Sequence, residues 1–385
     1  MRKSVIKIPE PKFGSHLTTI VLELEKLRTR QLTGEIPPYI FFQLKEIFQM
    51  LETLGSARIE GNKTTLAEYV EKVIESKTKT DERQQELYNL ERAIDFIEQN
   101  TNPDTEINRA FISELHKIVT KNLTPPPKGE GSKTPGKLRE HNVKITQSNH
   151  VPPDVSVLQE YFDNFIRFIN EDRPEQYQLL MVAIAHHRFN YMHPFDNGNG
   201  RVSRLLNYAL LIKLGFKVQN GRIINPSAVF YSDRDQYYEK LSKADSLKDD
   251  DVLEWAEYFL LGLKNEIEKI DSLLKMDFVN NKILLPAIKF ALESENITPK
   301  EFEILKYLIK KDEMAIKAEE LEKFELKTSL QKSRAIRKLR DKNILQPTKP
   351  GGRIYTIRFA NSYLLRGVIH FLEKEGFVSD FLNKN

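Results

Sequence analysis

The segment HPFDNGNGRVSR, residues 193–204, is the most informative stretch of this 385-residue chain. It comes shortly after the apolar run LLMVAIA at residues 179–185, and a helix that is apolar on every side is buried inside a domain. Gly198 and Gly200 then allow a tight turn with exposed backbone N–H groups directly before the next helix. Such a helix N-terminus binds anions. The segment therefore predicts a buried helical core with an anion site in the turn between two helices.

Three side chains around this turn have the chemistry needed to handle a polyphosphate. Arg201 and Arg204 lie three residues apart on one helical face, so both can donate charge-assisted hydrogen bonds to one ligand. Pro194 pushes the residue before it out of the α region and so ends the preceding helix at His193. His193 is the one nearby side chain whose ordinary pKa suits it to accept a proton near pH 7.

The segment resembles the signature of the Fic family, H-x-F-x-D/E-G-N-G-R-x-x-R. Seven positions agree at fixed spacing, and at about 5% usage each the chance is on the order of one in a billion per start. Similar sequence also occurs in AHHRF at 185–189, in PGKLR at 135–139 and around Trp255, so the resemblance covers residues 10–265. It implies a mainly α fold, an all-helical core with a small β-hairpin flap. It also implies transfer of AMP from ATP to a Ser, Thr or Tyr hydroxyl of a target protein.

The resemblance assigns roles to individual residues. The predicted catalytic residues are His193, as the base that deprotonates the target hydroxyl, and Asn199. The residues predicted to bind ATP are Gly198, Asn199, Gly200, Arg201 at the β-phosphate, Val202, Ser203, Arg204 at the γ-phosphate, and Tyr231. The predicted flap, Val143, Lys144, Ile145 and Thr146, would pair with the target as an added strand. Tyr231, Tyr237 and Tyr238 resemble the adenine-side wall, although aromatic residues at helical spacing are also typical of a core.

Asn197 departs from the signature, because the family carries at this position the acidic residue that binds a metal. Mg²⁺ prefers charged oxygen ligands, and an amide oxygen is a poorer one. Three interpretations stay open. Asn197 binds Mg²⁺ or Mn²⁺ through its amide oxygen, the neighbouring Asp196 replaces it, or the activity is low.

A second motif, SARIEGN at residues 56–62, resembles the inhibitory motif S/T-x-x-x-E-G/N of Fic proteins. Gly61 is typical of the position just after a helix, which places Glu60 in the last turn. A carboxylate there opposes the helix dipole by roughly 0.3–1 kcal/mol, so a partner cation would explain it better than helix propensity. The resemblance implies that Ser56 and Glu60 form an inhibitory element and that Glu60 pairs with Arg204.

The C-terminal part has a different character. Thr298, Pro299 and Glu301 predict a helix start, and a basic helix over 330–342 followed by a hairpin over 344–357 resembles a winged helix-turn-helix. Residues 327–358 carry ten basic side chains against Asp341 alone. This concentration predicts contacts with DNA phosphates, and use of the module for protein contacts stays open.

Composition limits the remaining choices. Hydrophobic residues make up 40% and charged residues 30%, the net charge is only +4, and there is no cysteine, which excludes disulfides and thiolate metal sites. No apolar run is long enough to span a bilayer and the N-terminus has no secretory pattern, so we expect a cytoplasmic protein without membrane contact. The predicted segments are an N-terminal helical region over 1–105 with the inhibitory helix near 56–61, a Fic core over 106–265, a helical connector over 266–290 and a winged helix over 291–385.

The function predicted from these features is an autoinhibited protein adenylyltransferase that uses ATP with Mg²⁺ or Mn²⁺. Its partners would be a target protein, DNA through the C-terminal domain, and other copies of the chain through self-modification or a homodimer. Two alternatives stay open. One is a nucleotide-sensing DNA-binding regulator with a weakly active core, and the other is an enzyme of the same fold that transfers another phosphate-containing group or removes AMP.

Overall fold

The computed structural model describes residues 5–29, 36–75, 81–145, 150–216 and 223–383. This part of the chain is mainly α-helical with a small three-stranded sheet, so the predicted fold class is confirmed. The contacts divide the chain into two compact units: residues 1–31, 52–64 and 80–268 form the first, and residues 32–51, 65–79 and 269–385 form the second. The division into four segments stays a prediction.

In chain order the α-helices are α1 (His16–Thr29), α2 (Pro38–Ile59), α3 (Leu66–Glu75), α4 (Glu82–Asn100), α5 (Arg109–Thr120), α6 (Val155–Asn170), α7 (Glu175–Met192), α8 (Asn199–Lys213), α9 (Ala228–Tyr231), α10 (Arg234–Ala244), α11 (Asp249–Leu273), α12 (Met276–Phe278), α13 (Leu285–Glu293), α14 (Pro299–Ile309), α15 (Ser329–Asp341) and α16 (Leu364–Lys374). No helix within the described ranges combines the length and the apolar character that crossing a bilayer requires.

Helix α7 is the centre of the first unit. Every residue from Leu179 to Ala185 is buried, as the apolar run predicts. The indole Nε1 of Trp255, on α11, donates a hydrogen bond to the Ala183 carbonyl at 2.7 Å and fixes α11 against α7. Helix α7 ends at Met192, where His193 adopts a left-handed backbone with φ of 47°. Since α8 begins at Asn199, the predicted turn lies between two buried helices.

The predicted strand in the flap is wrong for residues 142–145, which have an irregular backbone. A strand needs a partner, and side-chain hydrogen bonds hold this segment instead. The Asn142 amide donates to the Asp154 carboxylate at 2.6 Å and accepts from the Val155 backbone N–H at 2.9 Å. Thr146 lies outside the described residues.

The second unit contains the sheet, in the order β1 (Ala315–Lys317), β3 (Ile354–Ile357) and β2 (Leu345–Pro347), with both pairs antiparallel. The predicted hairpin is confirmed by β2 and β3, whereas the sequence did not indicate β1. The capping box of Thr298 and Glu301 starts α14 as predicted. The connector is helical but interrupted after α11, because Lys275 takes an extended backbone before α12, a short π-helix (Val279–Leu284) and α13.

Candidate active site

Side chains of the turn between α7 and α8 hold it in one conformation. The Oδ1 atom of Asn199 accepts a hydrogen bond from the Phe195 backbone N–H at 2.9 Å, and its Nδ2 donates to the Phe195 carbonyl at 3.0 Å. The buried ring of Phe195 stacks on His116 with centroids 3.9 Å apart. Gly198, with φ of 72°, caps α8 in the left-handed region that favours glycine. The Asn199 side chain is thus a positioning element for the turn.

A cavity of about 680 Å³ borders this turn. Its wall includes the predicted base His193, the turn residues Asn197, Gly198, Asn199 and Gly200, the carboxylates of Glu60, Glu130, Asp196 and Asp245, and the aromatic residues Tyr237 and Tyr238. The structure therefore brings the predicted base, the predicted phosphate-binding backbone and the predicted inhibitory residue to one cavity.

His193 occupies the junction of α7 and the turn. Burial lowers the pKa of His193 to about 4, because the imidazolium is poorly solvated there. The Nε atom of Arg139 donates to the His193 carbonyl at 2.9 Å and fixes the backbone at this point. The imidazole is consequently neutral at pH 7 and able to accept a proton.

Glu60 follows directly on the end of α2. The Gly61 N–H donates to the Arg58 carbonyl at 3.1 Å and the Asn62 N–H donates to the Ala57 carbonyl at 3.2 Å, which is the Schellman pattern. Gly61 has the positive φ, 105°, that this helix end requires. The predicted helix end is therefore confirmed, and it fixes the backbone of Glu60.

Arg204 joins the two predicted inhibitory residues. Its Nε donates to the Ser56 hydroxyl at 2.9 Å, and its Nη2 donates to the Ser56 carbonyl at 2.9 Å and to the Glu60 carboxylate at 2.8 Å. Its side chain is 1% exposed. The remaining nitrogen, Nη1, is buried without a hydrogen bond in the part of the chain that the structure describes.

The Glu60 carboxylate also lies against the first turn of α8. A Cβ atom added to Gly200 would collide with the Glu60 Oε1 atom, so only glycine leaves room for this carboxylate. Burial by itself raises the pKa of Glu60, but the guanidinium groups of Arg204 and Arg201 outweigh it and hold the pKa below its ordinary value. An anionic carboxylate thus occupies the helix N-terminus that the sequence predicts as an anion site.

Arg201 is held by contacts with two other parts of the chain. Its side chain is fully buried, its Nη1 pairs with Glu86 at 2.8 Å, and its Nη2 donates to the Glu130 carbonyl at 2.7 Å. It is absent from the cavity wall among the described residues. Arg201 ties α4 and the segment around Glu130 to α8, and its assignment to the β-phosphate stays a prediction.

The side chains of Val202 and Ser203 do not reach the cavity either. Val202 is fully buried in the core, and its backbone N–H donates to the Gly198 carbonyl at 3.0 Å. The Ser203 hydroxyl donates to the Gly200 carbonyl at 2.8 Å and contacts Asn190. The helical turn points both side chains into the protein, and their assignment as ATP ligands stays a prediction.

Of the three tyrosines that resemble the adenine-side wall, two border the cavity. Tyr231 is buried against Gly55, and its hydroxyl accepts a hydrogen bond from the Asn225 amide at 2.9 Å. It belongs to the core, the alternative left open for these tyrosines, and its assignment as an ATP ligand stays a prediction. Tyr237 and Tyr238 of α10 line the cavity instead. Of the flap, Lys144 and Ile145 line the cavity, whereas Val143 does not.

A metal would find few free oxygen atoms near the turn. Both carboxylate oxygens of Asp196 accept hydrogen bonds, from the Ser132 hydroxyl at 2.6 Å and from the Lys133 N–H at 2.8 Å. The Asn197 Oδ1 accepts from the Gly198 N–H at 2.8 Å. The described residues contain no group of three or more metal-binding side chains. A site here would fit only a cation such as Mg²⁺, which commonly takes one or two protein ligands and completes its shell with phosphates and water.

His116 is a positioning residue that the sequence did not single out. Its Nδ1 accepts a hydrogen bond from the Gly136 N–H at 2.8 Å, so the proton is on Nε2, which donates to the Asn197 carbonyl at 3.1 Å. Burial lowers the pKa of His116 to about 4, which keeps this tautomer neutral. Glu86 and Glu130 were also missed, because nothing in their local sequence marks them.

The chain is similar in sequence to known proteins. Residues 106–211 match the family model described as Fic/DOC family. The Protein adenylyltransferase Fic of Drosophila grimshawi is 29% identical over 196 residues, 49% of this chain and 36% of that protein. The Protein adenylyltransferase Fic of Nematostella vectensis is 29% identical over 195 residues, 49% of this chain and 42% of that protein. The chain therefore spans less than half the length of these curated relatives.

Solved structures show the same fold. A Fic family protein from Desulfovibrio desulfuricans superposes with a TM-score of 0.56 at 16% identity, over 91% of this chain and 98% of that one. Fic-1 from C. elegans superposes with a TM-score of 0.54 at 19% identity, over 69% of this chain and 74% of that one.

Proposed function

We propose that this chain, which contains a Fic/DOC domain at residues 106–211, is a protein adenylyltransferase held inactive by Glu60. The observation that carries the proposal is the Glu60–Arg204 ion pair of 2.8 Å beside the N-terminus of α8, since Glu60 lines the same cavity as His193. Its substrate would be ATP and its partner a protein with a Ser, Thr or Tyr hydroxyl, either a separate target or the chain itself.

The backbone of the turn and the His193 side chain would have separate roles in the transfer of AMP. Backbone N–H groups of the turn and of the first turn of α8 would hold the α-phosphate and stabilise the charge that develops on it. His193, neutral at pH 7, would accept the proton of the target hydroxyl as its oxygen bonds to the α-phosphorus. The bond from the α-phosphorus to the oxygen bridging to the β-phosphate then breaks, and pyrophosphate leaves. Mg²⁺ or Mn²⁺ would offset the phosphate charge during this transfer.

Glu60 would block this reaction by occupying the place of phosphates. Its carboxylate lies against Gly200 and takes the Nη2 donor of Arg204. The γ-phosphate that Arg204 is proposed to bind would have to displace a carboxylate held by an ion pair. ATP would therefore bind weakly, or bind with its α-phosphate out of line with the target hydroxyl.

Label transfer from ATP carrying ³²P on the α-phosphate tests the chemistry. The Glu60→Gly variant should label protein, and adding His193→Ala should reduce the rate about 10²–10⁴-fold, the usual contribution of a general base. His141→Ala is the matched control, because His141 is exposed and only its backbone carbonyl accepts a bond from Arg139. Nucleotide binding by Glu60→Gly without any transfer would contradict the enzyme and favour the nucleotide-sensing regulator.

We also propose that the second unit binds duplex DNA through α15 and the β2–β3 turn, as a winged helix would. Helix α15 buries Ile336 and Leu339 and exposes the basic residues Arg334, Arg337, Lys338 and Arg340. Beside it, a groove of about 680 Å³ is lined by Arg337, Arg340, Arg353 and Arg358. Clustered arginine and lysine side chains on one face suit a run of phosphates.

A further inference from the structure

We propose that Glu130 supplies the carboxylate ligand for a divalent cation in the nucleotide cavity. This inference rests on the proposed function, since the cation would be bound together with ATP. Glu130 precedes Gly131 in an irregular segment, far from the HPFDNGNGR motif in sequence, and lines the cavity with Gly198 and Gly200. Its side chain is 44% exposed, so its carboxylate is accessible to a ligand.

The Glu130 carboxylate lies beside the neutral side chain of Asn197. Its Oε2 is 3.4 Å from the Asn197 Nδ2 atom and 3.2 Å from the Arg201 Nη2 atom. Asn197 occupies the position where the family signature has an acidic residue. A carboxylate from another part of the chain is therefore adjacent to the position where a carboxylate is missing.

Arg201 lies between two carboxylates. Arg201 already pairs with the buried Glu86 at 2.8 Å, so one guanidinium serves two carboxylates. Glu130 is the exposed member of this triad and adds negative charge next to a helix N-terminus that suits anions. A bound polyphosphate would be repelled by this carboxylate unless a cation lay between them.

Like Glu130, the other carboxylates of the cavity have protein partners. Asp196 accepts two hydrogen bonds from the segment at 132–133, Asp245 contacts His187 at 3.0 Å, and Glu60 pairs with Arg204. Within the described ranges, Oε1 of Glu130 has no protein partner within hydrogen-bond distance. Glu130 can therefore bind a cation through Oε1 without breaking a protein contact.

An independent feature beside Gly200 fits an anion. The Nη1 atom of Arg204 is buried, makes no hydrogen bond within the described ranges, and lies 3.2 Å from the position that a Cβ on Gly200 would take. An unsatisfied guanidinium nitrogen beside a helix N-terminus fits a phosphate oxygen. Gly200, Asn197 and Glu130 line one cavity, so a phosphate beside Gly200 would share that cavity with the Glu130 carboxylate.

The test measures metal binding without turnover, in the full chain with Glu60→Gly. Free Mn²⁺ is followed by electron paramagnetic resonance in the presence of a non-hydrolysable ATP analogue, and analogue affinity is measured by calorimetry with Mn²⁺ and with EDTA. Glu130→Gln should weaken Mn²⁺ binding at least tenfold, while analogue binding in EDTA stays equal or becomes tighter because a negative charge is gone. Glu140→Gln, an exposed glutamate of the same stretch, is the control and should change neither value.

A rescue variant separates ligation from a structural effect. Asn197→Asp added to Glu130→Gln places a carboxylate on the neighbouring side chain and should restore Mn²⁺ affinity to within about threefold of the parent, whereas a folding defect would persist. Unchanged Mn²⁺ affinity in Glu130→Gln, or no rescue, overturns the inference for Glu130 and leaves the proposed function intact. No analogue binding by the Glu60→Gly parent overturns both.

Discussion

The Glu60 carboxylate and the Arg204 guanidinium form an ion pair of 2.8 Å between residues 144 positions apart in the sequence. The pair is held from both sides, because Ser56 accepts hydrogen bonds from the Nε and Nη2 atoms of Arg204 and the end of α2 fixes the Glu60 backbone. Removing one partner of such a buried pair leaves the charge of the other poorly solvated. The ion pair therefore connects the end of α2 to Arg204, which is proposed to bind ATP.

The contact between Gly200 and Glu60 predicts that the effect of Gly200→Ala on the free energy of unfolding depends on Glu60. Gly200→Ala should destabilise the protein by about 1–3 kcal/mol, because the added methyl group meets the Glu60 carboxylate. In the Glu60→Gly background that carboxylate is gone, and the same change should be nearly neutral, since alanine favours a helix over glycine by roughly 0.5–1 kcal/mol. Urea unfolding of the four proteins measures the coupling. Equal costs in both backgrounds would contradict the contact.

The lowered pKa of His193 predicts an unusual pH profile for transfer by Glu60→Gly. The active form is the neutral imidazole, which is present above the folded-state pKa of about 4 and lost as the pH falls through it. Glu60 raises this pKa in the wild type, so its removal lowers the value further. The rate measured from pH 5 to 8 should therefore show no inflection near the ordinary histidine value of about 6.5. A rate that halves near pH 6.5 would contradict the burial of this base.

The pKa of Glu60 predicts how the wild-type protein behaves over the same range. A carboxylate whose pKa is depressed keeps its ion pair above its ordinary value and loses it only as the pH falls through the lower, folded-state pKa. Mild acid should therefore not relieve inhibition. Wild-type labelling should stay low from pH 5 to 8, and a rise at the acid end would contradict this assignment.

The basic groove of the second unit predicts salt-dependent DNA binding by the full chain. Arg337→Ala and Arg340→Ala should each weaken binding to a random duplex and reduce the slope of log K against log salt by about one, as expected for loss of a phosphate contact. Lys289→Ala is the control, because this lysine is exposed on α13, outside the groove. Absence of binding at low salt would favour a protein-contact role.

Local patterns predicted the parts of the fold that depend on neighbours in sequence. Apolar periodicity and Pro194 located the end of α7, the Gly-Asn-Gly turn located the start of α8, and Gly61 located the end of α2. Each of these signals acts within one turn of a helix. They were sufficient to place His193 and Glu60 at helix ends.

Long-range contacts could not be predicted in this way. Arg201 lies on the predicted helical face, but its pairing with Glu86 depends on how α4 packs against α8. Alternation at residues 142–146 predicts a strand but cannot supply a partner for it. Helical spacing likewise could not tell that Tyr231 lies away from the cavity while Tyr238 and the buried Tyr237 border it.

The most direct test of the account compares wild type and Glu60→Gly for label transfer from α-labelled ATP at saturating Mg²⁺. Loss of the carboxylate frees Arg204 and the N-terminus of α8 for phosphates, so ATP should bind more tightly and labelling should rise at least tenfold, with Glu140→Gly remaining at the wild-type level. Equal labelling by wild type and Glu60→Gly, with both proteins folded and both binding ATP equally well, would show that Glu60 does not inhibit this site.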